Sequence, residues 1–402
     1  MAHLLYLVPG FLLIAITLPL GLELALVTFG ALLPAKRRRE QLLVNPAAGN
    51  YPLAAVIPAH NEELLVARCV TSLRDSASGA ESGAVRILVV AHNCTDSTAD
   101  EARRAGAEVL VYDDPAARGK GFALSHGFHH ALAGEAQAVL VIDADSIVSR
   151  NLVPSVQGLL AGGSEAVQCR YEMESSTEKS SSRLAALALR GFNVIRPRGR
   201  DRLGLSAGIF GNGFALTRKL LAEVPYGAFS VVEDLEYHLS LVMKRKRVLF
   251  LESALVSASL PASREGETVQ RSRWEGGRFH AARVWTLPLL RQVLRGQLRL
   301  IEPLLDVACL PMAYGVFALL LAACIPVPAI RIYALVSLMI VAGHVLAAAA
   351  SGPDFLKTVG LLATAPLYIL WKLRLLPSIL RGSKGKAAWV RTNRDSNFRS
   401  IS

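Results

Sequence analysis

Cysteine is scarce in this sequence and is not placed as a metal ligand or in pairs. The chain of 402 residues contains five cysteines, none with the Cys-x-x-Cys spacing and none beside a cluster of histidines. The sequence therefore indicates neither a zinc site nor a disulfide framework. Reduced thiols of this kind are typical of a cytoplasmic domain.

The signatures of several common binding classes are also missing. The net charge is +12, but no basic stretch is interleaved with aromatic residues and there is no helix-turn-helix pattern, so nucleic acid is not predicted as a partner. Gly119-Lys120-Gly121 lacks the glycine spacing of a P-loop, and Gly208-x-x-Gly211-x-Gly213 is not a dinucleotide fingerprint. Lys120 nevertheless lies at the start of a predicted helix, where a phosphate group could bind.

Long apolar runs, in contrast, are plentiful and lie at the two ends of the chain. Hydrophobic residues make up 52% of the sequence. Residues 4–33 form one run, longer than the roughly 20 apolar residues needed to span a bilayer. No lysine or arginine precedes this run, as one would in a cleaved signal peptide. We therefore predict a permanent transmembrane anchor at residues 1–40, with the N-terminus outside and Lys36 to Arg39 inside.

Three further apolar runs, at residues 303–325, 332–350 and 355–371, predict transmembrane segments within residues 301–375. A basic tail at residues 376–402 follows them. If the tail and the central domain both lie in the cytoplasm, an even number of spans must separate them, so one run does not cross. We expect this to be the last run, which is short, contains Lys357 and would be re-entrant or interfacial.

Residues 281–300 predict an amphipathic helix at the membrane surface. Apolar residues there are interspersed with Arg291, Arg295 and Arg299, a pattern typical of an interfacial helix. Basic residues beside apolar runs also attract anionic lipids. We therefore expect membrane lipids as partners, and a multi-pass protein of the cell (inner) membrane whose central domain is cytoplasmic.

The central part of the chain, residues 50–280, has the pattern of an α/β domain. Apolar runs at 53–57, 85–90, 108–112 and 139–142 predict strands, and the stretches 61–74, 98–105 and 121–133 predict helices. Nearly continuous apolar strands between helices indicate a parallel sheet that is covered on both faces. Ligands of such sheets bind beyond the carboxyl ends of the strands. Three polar motifs occupy these ends: Ala59 to Glu62, Ala91 to Asp96, and Asp143 to Asp145.

Two carboxylates, Asp143 and Asp145, follow the fourth predicted strand. Like charges this close repel each other, and Mg²⁺ or Mn²⁺ could bridge the pair to a diphosphate and neutralise a leaving group. Taken alone, an Asp-x-Asp pair could equally be a solvated turn or a helix N-cap. Its position beside two other polar motifs favours the metal site.

Two later motifs carry further chemistry. Asp234, after an apolar approach and before a predicted helix, could be a general base that takes a proton from a hydroxyl group, although helix capping explains it locally. Gln270, Arg273 and Trp274 combine groups that could clamp a diphosphate and stack on a sugar ring. The alternative for this second motif is an amphipathic helix start with a tryptophan at the membrane interface.

The order of these motifs resembles that of the family 2 inverting glycosyltransferases, specifically the membrane-bound branch that includes cellulose, hyaluronan and poly-N-acetylglucosamine synthases. The resemblance covers about Leu53 to Trp274 and the flanking apolar runs. The matching elements are Val56 to Glu63, Thr95 to Thr98, Arg118 to Gly121, Asp143 to Asp145, Phe210 to Gly213, Glu233-Asp234 and Gln270-x-x-Arg273-Trp274. The resemblance implies a GT-A fold, a Rossmann-like α/β glycosyltransferase domain that binds a nucleotide-diphosphate sugar and a divalent cation.

The resemblance also implies a role for each motif. Asp234 would be the catalytic base, and Asp143 and Asp145 would bind Mg²⁺ or Mn²⁺. The residues predicted to bind the nucleotide sugar are Ala59, Asn61, Glu62, His92, Asn93, Asp96, Lys120 and Asp143. Those predicted to bind the acceptor or the diphosphate are Gly211, Asn212, Gly213, Glu233, Gln270, Arg273 and Trp274.

One position departs from the family's pattern and bears on the donor. Many relatives have an aspartate in the loop after the second strand that reads the uracil ring, and His92 stands at this position. A UDP-sugar is the expected donor, but His92 leaves the recognition of uracil open.

The predicted activity is transfer of a sugar, with inversion, to a carbohydrate acceptor in the synthesis of an extracellular polysaccharide. A single displacement inverts the anomeric carbon, so no covalent intermediate with the enzyme is needed. One alternative is transfer of a single sugar to a membrane lipid, since lipid-modifying relatives have a similar motif and few spans. A nucleotide-binding protein without catalysis is a third alternative, against which Asp143, Asp145 and Asp234 argue.

Overall fold

The structure is a computed structural model that describes residues 2–35, 51–78, 85–175, 177–261 and 263–382. The predicted basic cluster at residues 36–39 and most of the predicted basic tail lie outside these residues. Two compact units are present. A sheet unit contains residues 34–176 and 201–266, and a helical unit contains residues 1–33, 177–200 and 267–388.

The secondary structure alternates between strands and helices in the middle of the chain and is helical at both ends. The strands are β1 Leu53–Ala59, β2 Val85–His92, β3 Glu108–Tyr112, β4 Ala138–Val141, β5 Ile147–Val148, β6 Ala166–Glu174, β7 Phe214–Thr217 and β8 Val248–Ser259. The helices are α1 Ala2–Leu32, α2 Val66–Ala77, α3 Thr98–Arg104, α4 Lys120–Ala133, α5 Leu152–Ala161, α6 Ser180–Arg190, α7 Arg196–Arg202, α8 Arg218–Glu223, α9 Glu233–Met243, α10 Arg264–Leu294, α11 Ile301–Ala308, α12 Met312–Cys324, α13 Pro328–Ala350, α14 Phe355–Leu361 and α15 Ala365–Gly382. A π-helical turn, Gly191–Ile195, joins α6 to α7.

The sheet has eight strands in the order β3-β2-β1-β4-β7-β6-β8-β5. β3, β2, β1 and β4 are parallel neighbours, and Leu53 pairs with both Val85 and Ala138. β7 runs antiparallel between β4 and β6. All four residues of β4 are buried, as expected for a strand covered on both faces. The parallel register brings the carboxyl ends of β1, β2 and β4 to one edge.

Helix α4 packs on the parallel strands through a glycine. A Cβ atom on Gly127 would lie 2.7 Å from Val56 Cγ1 and 2.8 Å from Val90 Cγ2. Only glycine lets the helix approach the sheet this closely. This contact fixes the start of α4, and therefore Lys120, beside the carboxyl edge of the sheet.

The predicted strands are all present, and so are the predicted helices of the α/β domain. The clearest difference is at the first helix, which begins at Val66 and not at Asn61. Asn61 has φ +55°, a left-handed conformation that ends regular structure. Residues 60–65 instead form a loop whose backbone is bonded to the loop after β2, as described below.

The helical unit contains apolar helices from both ends of the chain. Within the described residues, three stretches are long and apolar enough to cross a membrane: Tyr6–Leu32, Pro328–Ala350 and Phe355–Pro377. A fourth candidate, Leu298–Ala308 with Met312–Cys324, bends by 85°. Residues 177–200 also belong to this unit. The sequence predicted residues 50–280 as one continuous domain and did not separate this segment from it.

Two features of the late apolar region were not predicted. The expectation that the last run is re-entrant or interfacial stays a prediction, whereas the first of the three late runs has a bend of 85°. Pro311 explains it, because proline cannot continue a helix and restricts the residue before it, so that α11 ends at Ala308. Residues 281–300 are not a separate helix either, since α10 runs from Arg264 to Leu294 with Pro288 inside it.

A network of six charged side chains lies inside the helical unit. Its members are Glu23 of α1, Arg196 and Arg200 of α7, Arg278 of α10, and Glu302 and Asp306 of α11. Glu23 Oε1 accepts from Arg196 at 3.0 Å and from Arg200 at 2.9 Å. Asp306 accepts from the three arginines at 2.8–2.9 Å. Three basic and three acidic side chains from four separate segments are thus joined in one cluster.

Removing one charge from this network is expected to destabilise the protein. Arg200→Met removes the arginine that pairs with Glu302 and one of the arginines that pair with Glu23 and Asp306. A buried charge left unpaired costs about 3–5 kcal/mol. We expect a clearly lower unfolding temperature in detergent. The control is Arg283→Met on the exposed side of α10, which should unfold like the wild type. Equal unfolding temperatures for the two variants would contradict the prediction.

Candidate active site

The Asp143-Ala144-Asp145 turn is held by a buried asparagine. Asn212 is 1% exposed. Its Oδ1 accepts from the Asp143 backbone N at 3.0 Å, and its Nδ2 donates to Ser146 Oγ at 2.8 Å. Ser146 Oγ in turn donates to Asp145 Oδ1 at 3.2 Å. The amide of Asn212 therefore fixes the carboxylate turn, and its contact with the acceptor or diphosphate stays a prediction.

The loop that carries Asn212 depends on two glycines and a buried glutamine. Gly211 has φ +75° and Gly213 has φ +70°, conformations that favour glycine. Gln168 of β6 donates to Asn212 O at 2.7 Å and accepts from Phe210 N at 3.0 Å. This loop therefore has a single conformation from which Asn212 reaches the end of β4.

Lys120 brings a positive charge into the carboxylate cluster. Its Nζ contacts Asp143 Oδ1 and donates to Gly211 O at 2.5 Å. The next residue is Gly121, where a Cβ atom would lie 2.3 Å from Ala228 O. The segment that precedes α9 therefore packs tightly on the first turn of α4. This close packing brings Lys120 and the start of α9 to the same place.

Glu233 and Asp234 begin α9 and face this cluster. Asp234 Oδ1 accepts from the Leu235 backbone N at 2.8 Å, and a Cβ on Gly211 would lie 3.4 Å from Asp234 Oδ2 and 3.7 Å from Lys120 Nζ. Burial raises the pKa of Glu233 to about 8, with a further increase from the Asp234 charge and an opposing effect of Lys120. The raised pKa favours the protonated form of Glu233, so the pair carries less negative charge than two free carboxylates would.

Tyr171 of β6 is a site residue that the sequence did not indicate. It is 8% exposed and its hydroxyl is hydrogen-bonded to the Asn212 side chain. Burial and the charges of Asp143 and Asp234 raise the pKa of its hydroxyl. Tyr171 and Gln168 lie on β6, which is separated from β4 in the sheet by β7. The antiparallel pairing of β7 with both strands brings them here, and no local pattern signals it.

The loops after β1 and β2 are joined to each other by hydrogen bonds. Asn61 Oδ1 accepts from the Thr95 backbone N at 2.7 Å, and the Glu62 backbone N donates to Thr98 Oγ1 at 2.7 Å. Asp96 Oδ2 accepts from the Glu63 backbone N at 3.3 Å. Ala59 ends β1 and is buried. Asn61, Glu62 and Asp96, all predicted to bind the nucleotide, thus form one rigid edge of the site.

His92 and Asn93 are already engaged in the structure. His92 is 5% exposed and its ring stacks on Tyr112 at 4.8 Å, and burial lowers its pKa. Asn93 has φ +51°. Its Oδ1 accepts from the Asp114 backbone N at 2.8 Å and its Nδ2 donates to Asp114 O at 2.9 Å. The residue expected to read the base is therefore a neutral, packed imidazole, and its neighbour holds the loop after β3.

Gln270, Arg273 and Trp274 belong to the helical unit and lie within one turn of α10. Residues three and four apart share a face of a helix. Gln270 is 2% exposed, and Arg273 and Trp274 are partly exposed. The structure places these three side chains together on the helical unit, whereas Asp143, Asp145, Glu233 and Asp234 belong to the sheet unit.

The donor set at the end of β4 fits a divalent cation that also binds phosphate. No group of three or more histidine, cysteine or acidic side chains suited to a metal ion occurs in the part of the chain that the structure describes. Mg²⁺ in particular is commonly held by one or two carboxylates together with water and substrate phosphates. Asp143 already has a cation, the Lys120 ammonium, at its carboxylate. Asp143 and Asp145 are the residues that could hold the ion.

Comparisons with known proteins agree with this geometry. A family model described as "Glycosyltransferase like family 2" matches residues 50–277. No curated protein matches the sequence. Among solved structures, the mannosyltransferase PcManGT from Pyrobaculum calidifontis, in complex with GDP-Man and Mn²⁺, is 18% identical with a TM-score of 0.53, over 94% of this chain and 100% of that one. Glucosyl-3-phosphoglycerate synthase from Mycobacterium tuberculosis, in complex with Mn²⁺, UDP and phosphoglyceric acid, is 23% identical with a TM-score of 0.40. This match covers 61% of this chain and 82% of the synthase.

These comparisons confirm the predicted α/β fold with a Rossmann-like sheet. The likeness to PcManGT is at the level of the fold. The family model, in contrast, covers more than half of the sequence and includes every strand of the sheet. The chain therefore belongs to the glycosyltransferase family 2-like proteins.

Proposed function

We propose that the protein is a metal-dependent membrane glycosyltransferase that inverts the anomeric carbon of a nucleotide-diphosphate sugar. One observation carries this proposal: the Lys120 ammonium and the carboxyl groups of Asp143, Glu233 and Asp234 are held together at the carboxyl edge of the sheet. Lys120 contacts Asp143, and Asp234 lies against the same glycine loop. A buried hydrogen-bond network fixes the Asp143 turn. Such an arrangement suits an anionic donor and a proton acceptor in one place.

The donor side of the site is built from the two bonded loops and the end of β4. Asp143 and Asp145 would hold Mg²⁺ or Mn²⁺, which supplies Lewis-acid stabilisation of the departing diphosphate. Lys120 adds a second positive charge there. The nucleotide would bind against the edge formed by Ala59, Asn61, Glu62, His92, Asn93 and Asp96. His92 is packed and neutral, so the expectation of UDP as the nucleotide rests on the family resemblance alone. PcManGT is in complex with GDP-Man, and GDP-sugars are therefore tested as donors alongside UDP-sugars.

The acceptor side is assigned to the start of α9. Asp234 takes the proton of the acceptor hydroxyl. At the same time the hydroxyl oxygen bonds to the anomeric carbon of the donor, and the bond between that carbon and the diphosphate oxygen breaks. Attack opposite the leaving group inverts the centre in one step. Glu233 keeps its proton and leaves the base role to Asp234. Gly211 and Gly213 shape the adjoining loop, and Gln270, Arg273 and Trp274 would contact the diphosphate or the acceptor.

The membrane location rests on the apolar helices. Three stretches, and a bent fourth, meet the length and apolarity of spans among the described residues. The exposed side of α10 near its end has Leu287 and Leu294, 52% and 78% exposed, beside exposed Arg291 and Arg295. Leucine and arginine side chains on one exposed surface suit the interface of an anionic membrane. We propose a multi-pass inner-membrane enzyme with a cytoplasmic catalytic domain, as in the cellulose and hyaluronan synthase branch.

The acceptor is proposed to be a growing extracellular polysaccharide. A second candidate is a membrane lipid that receives one sugar. The small number of spans favours this second candidate, since four or fewer helices in the described residues leave little material to line a channel for a polymer.

One experiment tests the activity and separates the two acceptors. Membranes containing the protein are incubated with a panel of radiolabelled UDP- and GDP-sugars in Mn²⁺ or Mg²⁺. We expect label in product only with a particular donor and only with the metal. A large product that stays in water indicates a polysaccharide, and a small product extracted into organic solvent indicates a glycolipid. Tight nucleotide binding with no labelled product from any donor would overturn the proposal.

Asp234→Asn tests the base. A carboxamide cannot accept the proton, so we expect kcat to fall about 10²–10⁴-fold while binding of nucleotide with Mn²⁺ is unchanged. Isothermal titration measures the binding and the labelled-sugar assay measures kcat. Glu236→Gln, two residues further along α9, is the matched control and should behave as wild type. Transfer at the wild-type rate by Asp234→Asn would rule out this role.

Asp145→Ala tests the metal site. Losing one of two carboxylates should weaken metal-dependent donor binding by at least about tenfold. Mutation of a residue that only hydrogen-bonds to a metal ligand already lowers metal affinity by about this factor. The measurement is the Mn²⁺ concentration that gives half-maximal activity. Asp100→Ala on the surface of α3 serves as the control. An unchanged Mn²⁺ dependence for Asp145→Ala would remove it from the site.

A further inference from the structure

One face of α10 is fixed by charged and aromatic contacts within the helical unit. Glu267, Arg271 and Glu275 are spaced four residues apart and Arg278 follows, so at 100° per residue they lie within roughly 80° of one another around the helix. Glu267, Arg271 and Glu275 are each 5–7% exposed. We call these four residues the anchor face.

Arg271 has the most contacts on the anchor face. Its guanidinium donates to Glu267 Oε1 at 2.6 Å and contacts the Tyr368 hydroxyl. Its Cζ lies 5.1 Å from the centroid of the Tyr368 ring and 5.0 Å from that of Trp371. Both aromatic residues belong to α15. A planar cation that contacts two neighbouring rings and a carboxylate has little freedom to rotate.

The other anchor residues extend this attachment. Glu275 accepts from the Tyr314 hydroxyl of α12 at 2.8 Å and contacts Lys372 of α15. Arg278 donates to Asp306 of α11 at 2.8 Å. The first half of α10 is therefore held over three successive turns by α11, α12 and α15.

The residues Gln270, Arg273 and Trp274 project from a different side of the same turns. At 100° per residue, their mean direction is about 100° away from that of the anchor face. Side-chain tips lie about 5–6 Å from a helix axis, so a rotation of about 10° moves them by about 1 Å. A displacement of this size in a site can lower a rate about 100-fold.

We propose that Arg271 is a positioning residue, held by Tyr368 and Trp371, that sets the rotation of α10 and thereby the direction of Gln270, Arg273 and Trp274. This inference rests on the proposed role of those three residues in sugar transfer. It makes the last apolar stretch of the chain a determinant of the catalytic rate through the contacts of Tyr368 and Trp371 with Arg271.

A simpler explanation is that Arg271 only neutralises the buried Glu267. The double variant Glu267→Gln/Arg271→Met separates the two, because it removes both charges together and leaves neither unpaired. If neutralisation were the whole role, the double variant would have wild-type kinetics. If Arg271 positions α10, the double variant keeps the fold, but Gln270, Arg273 and Trp274 no longer point in the same direction as in the wild type.

The measurements are the unfolding temperature in detergent, the rate of sugar transfer and the rate of donor hydrolysis by water. We expect an unfolding temperature close to wild type and a ratio of transfer to hydrolysis that falls about 10- to 100-fold. A loss of folded protein alone lowers both rates equally and leaves the ratio unchanged. Arg283→Met, on the exposed side of α10, should leave the ratio unchanged. A wild-type ratio in the double variant overturns the proposal.

Two further variants keep the outcome decisive. If the double variant does not fold, Arg271→Lys retains the charge beside Glu267 but loses the planar group that contacts both rings, and its ratio should also fall. A wild-type ratio in Arg271→Lys overturns the proposal. Trp274→Ala tests the premise. If wild type is active and Trp274→Ala is unaffected, the assigned role of the motif fails. If Trp274→Ala is impaired and the double variant is not, only the positioning role fails.

Discussion

The contact between Lys120 and Asp143 is the interaction on which the arrangement of the site depends. Asp143, Glu233 and Asp234 would otherwise place three negative charges close together, and like charges this close destabilise each other. The ammonium group of Lys120 compensates one of them, and the raised pKa of Glu233 favours its protonated form. The position of Lys120 in turn requires glycines at 121 and 127, which let α4 approach a neighbouring loop and the sheet.

The second constraint is the way the sheet changes direction beside β4. The parallel strands β1, β2 and β4 collect three polar loops at one edge, but none of these loops fixes the Asp143 turn. That task falls to Asn212, which precedes the antiparallel strand β7, and to Gln168 of β6. The carboxylates are therefore attached to the sheet from both sides, and the site has little freedom to rearrange before substrate binds.

Much of this could be predicted from the sequence, because local patterns determine it. Apolar runs of strand length located β1 to β4, and a polar motif after a buried strand located Asp143 and Asp145. Asn212, Gln168 and Tyr171 lack such a pattern, since a buried polar side chain in a strand or loop is defined by the partner it meets and not by its neighbours in sequence. The start of α2 was displaced by the left-handed Asn61. The bend before Pro311 was hidden in a run whose apolarity suggested a single span.

The charge network of the helical unit has a consequence for how the protein is made. Glu23 lies in the first apolar helix, and its partner Arg196 follows 173 residues later. At about 5–20 residues per second, a ribosome needs roughly 9 to 35 s to reach Arg196. If α1 enters a membrane as we propose, the Glu23 carboxylate lies in a hydrophobic environment without a counter-charge during this interval. The order of synthesis thus makes the first helix dependent on residues from the middle of the chain for its final placement, and a truncated chain that ends before Arg196 would retain an anchor with an uncompensated charge.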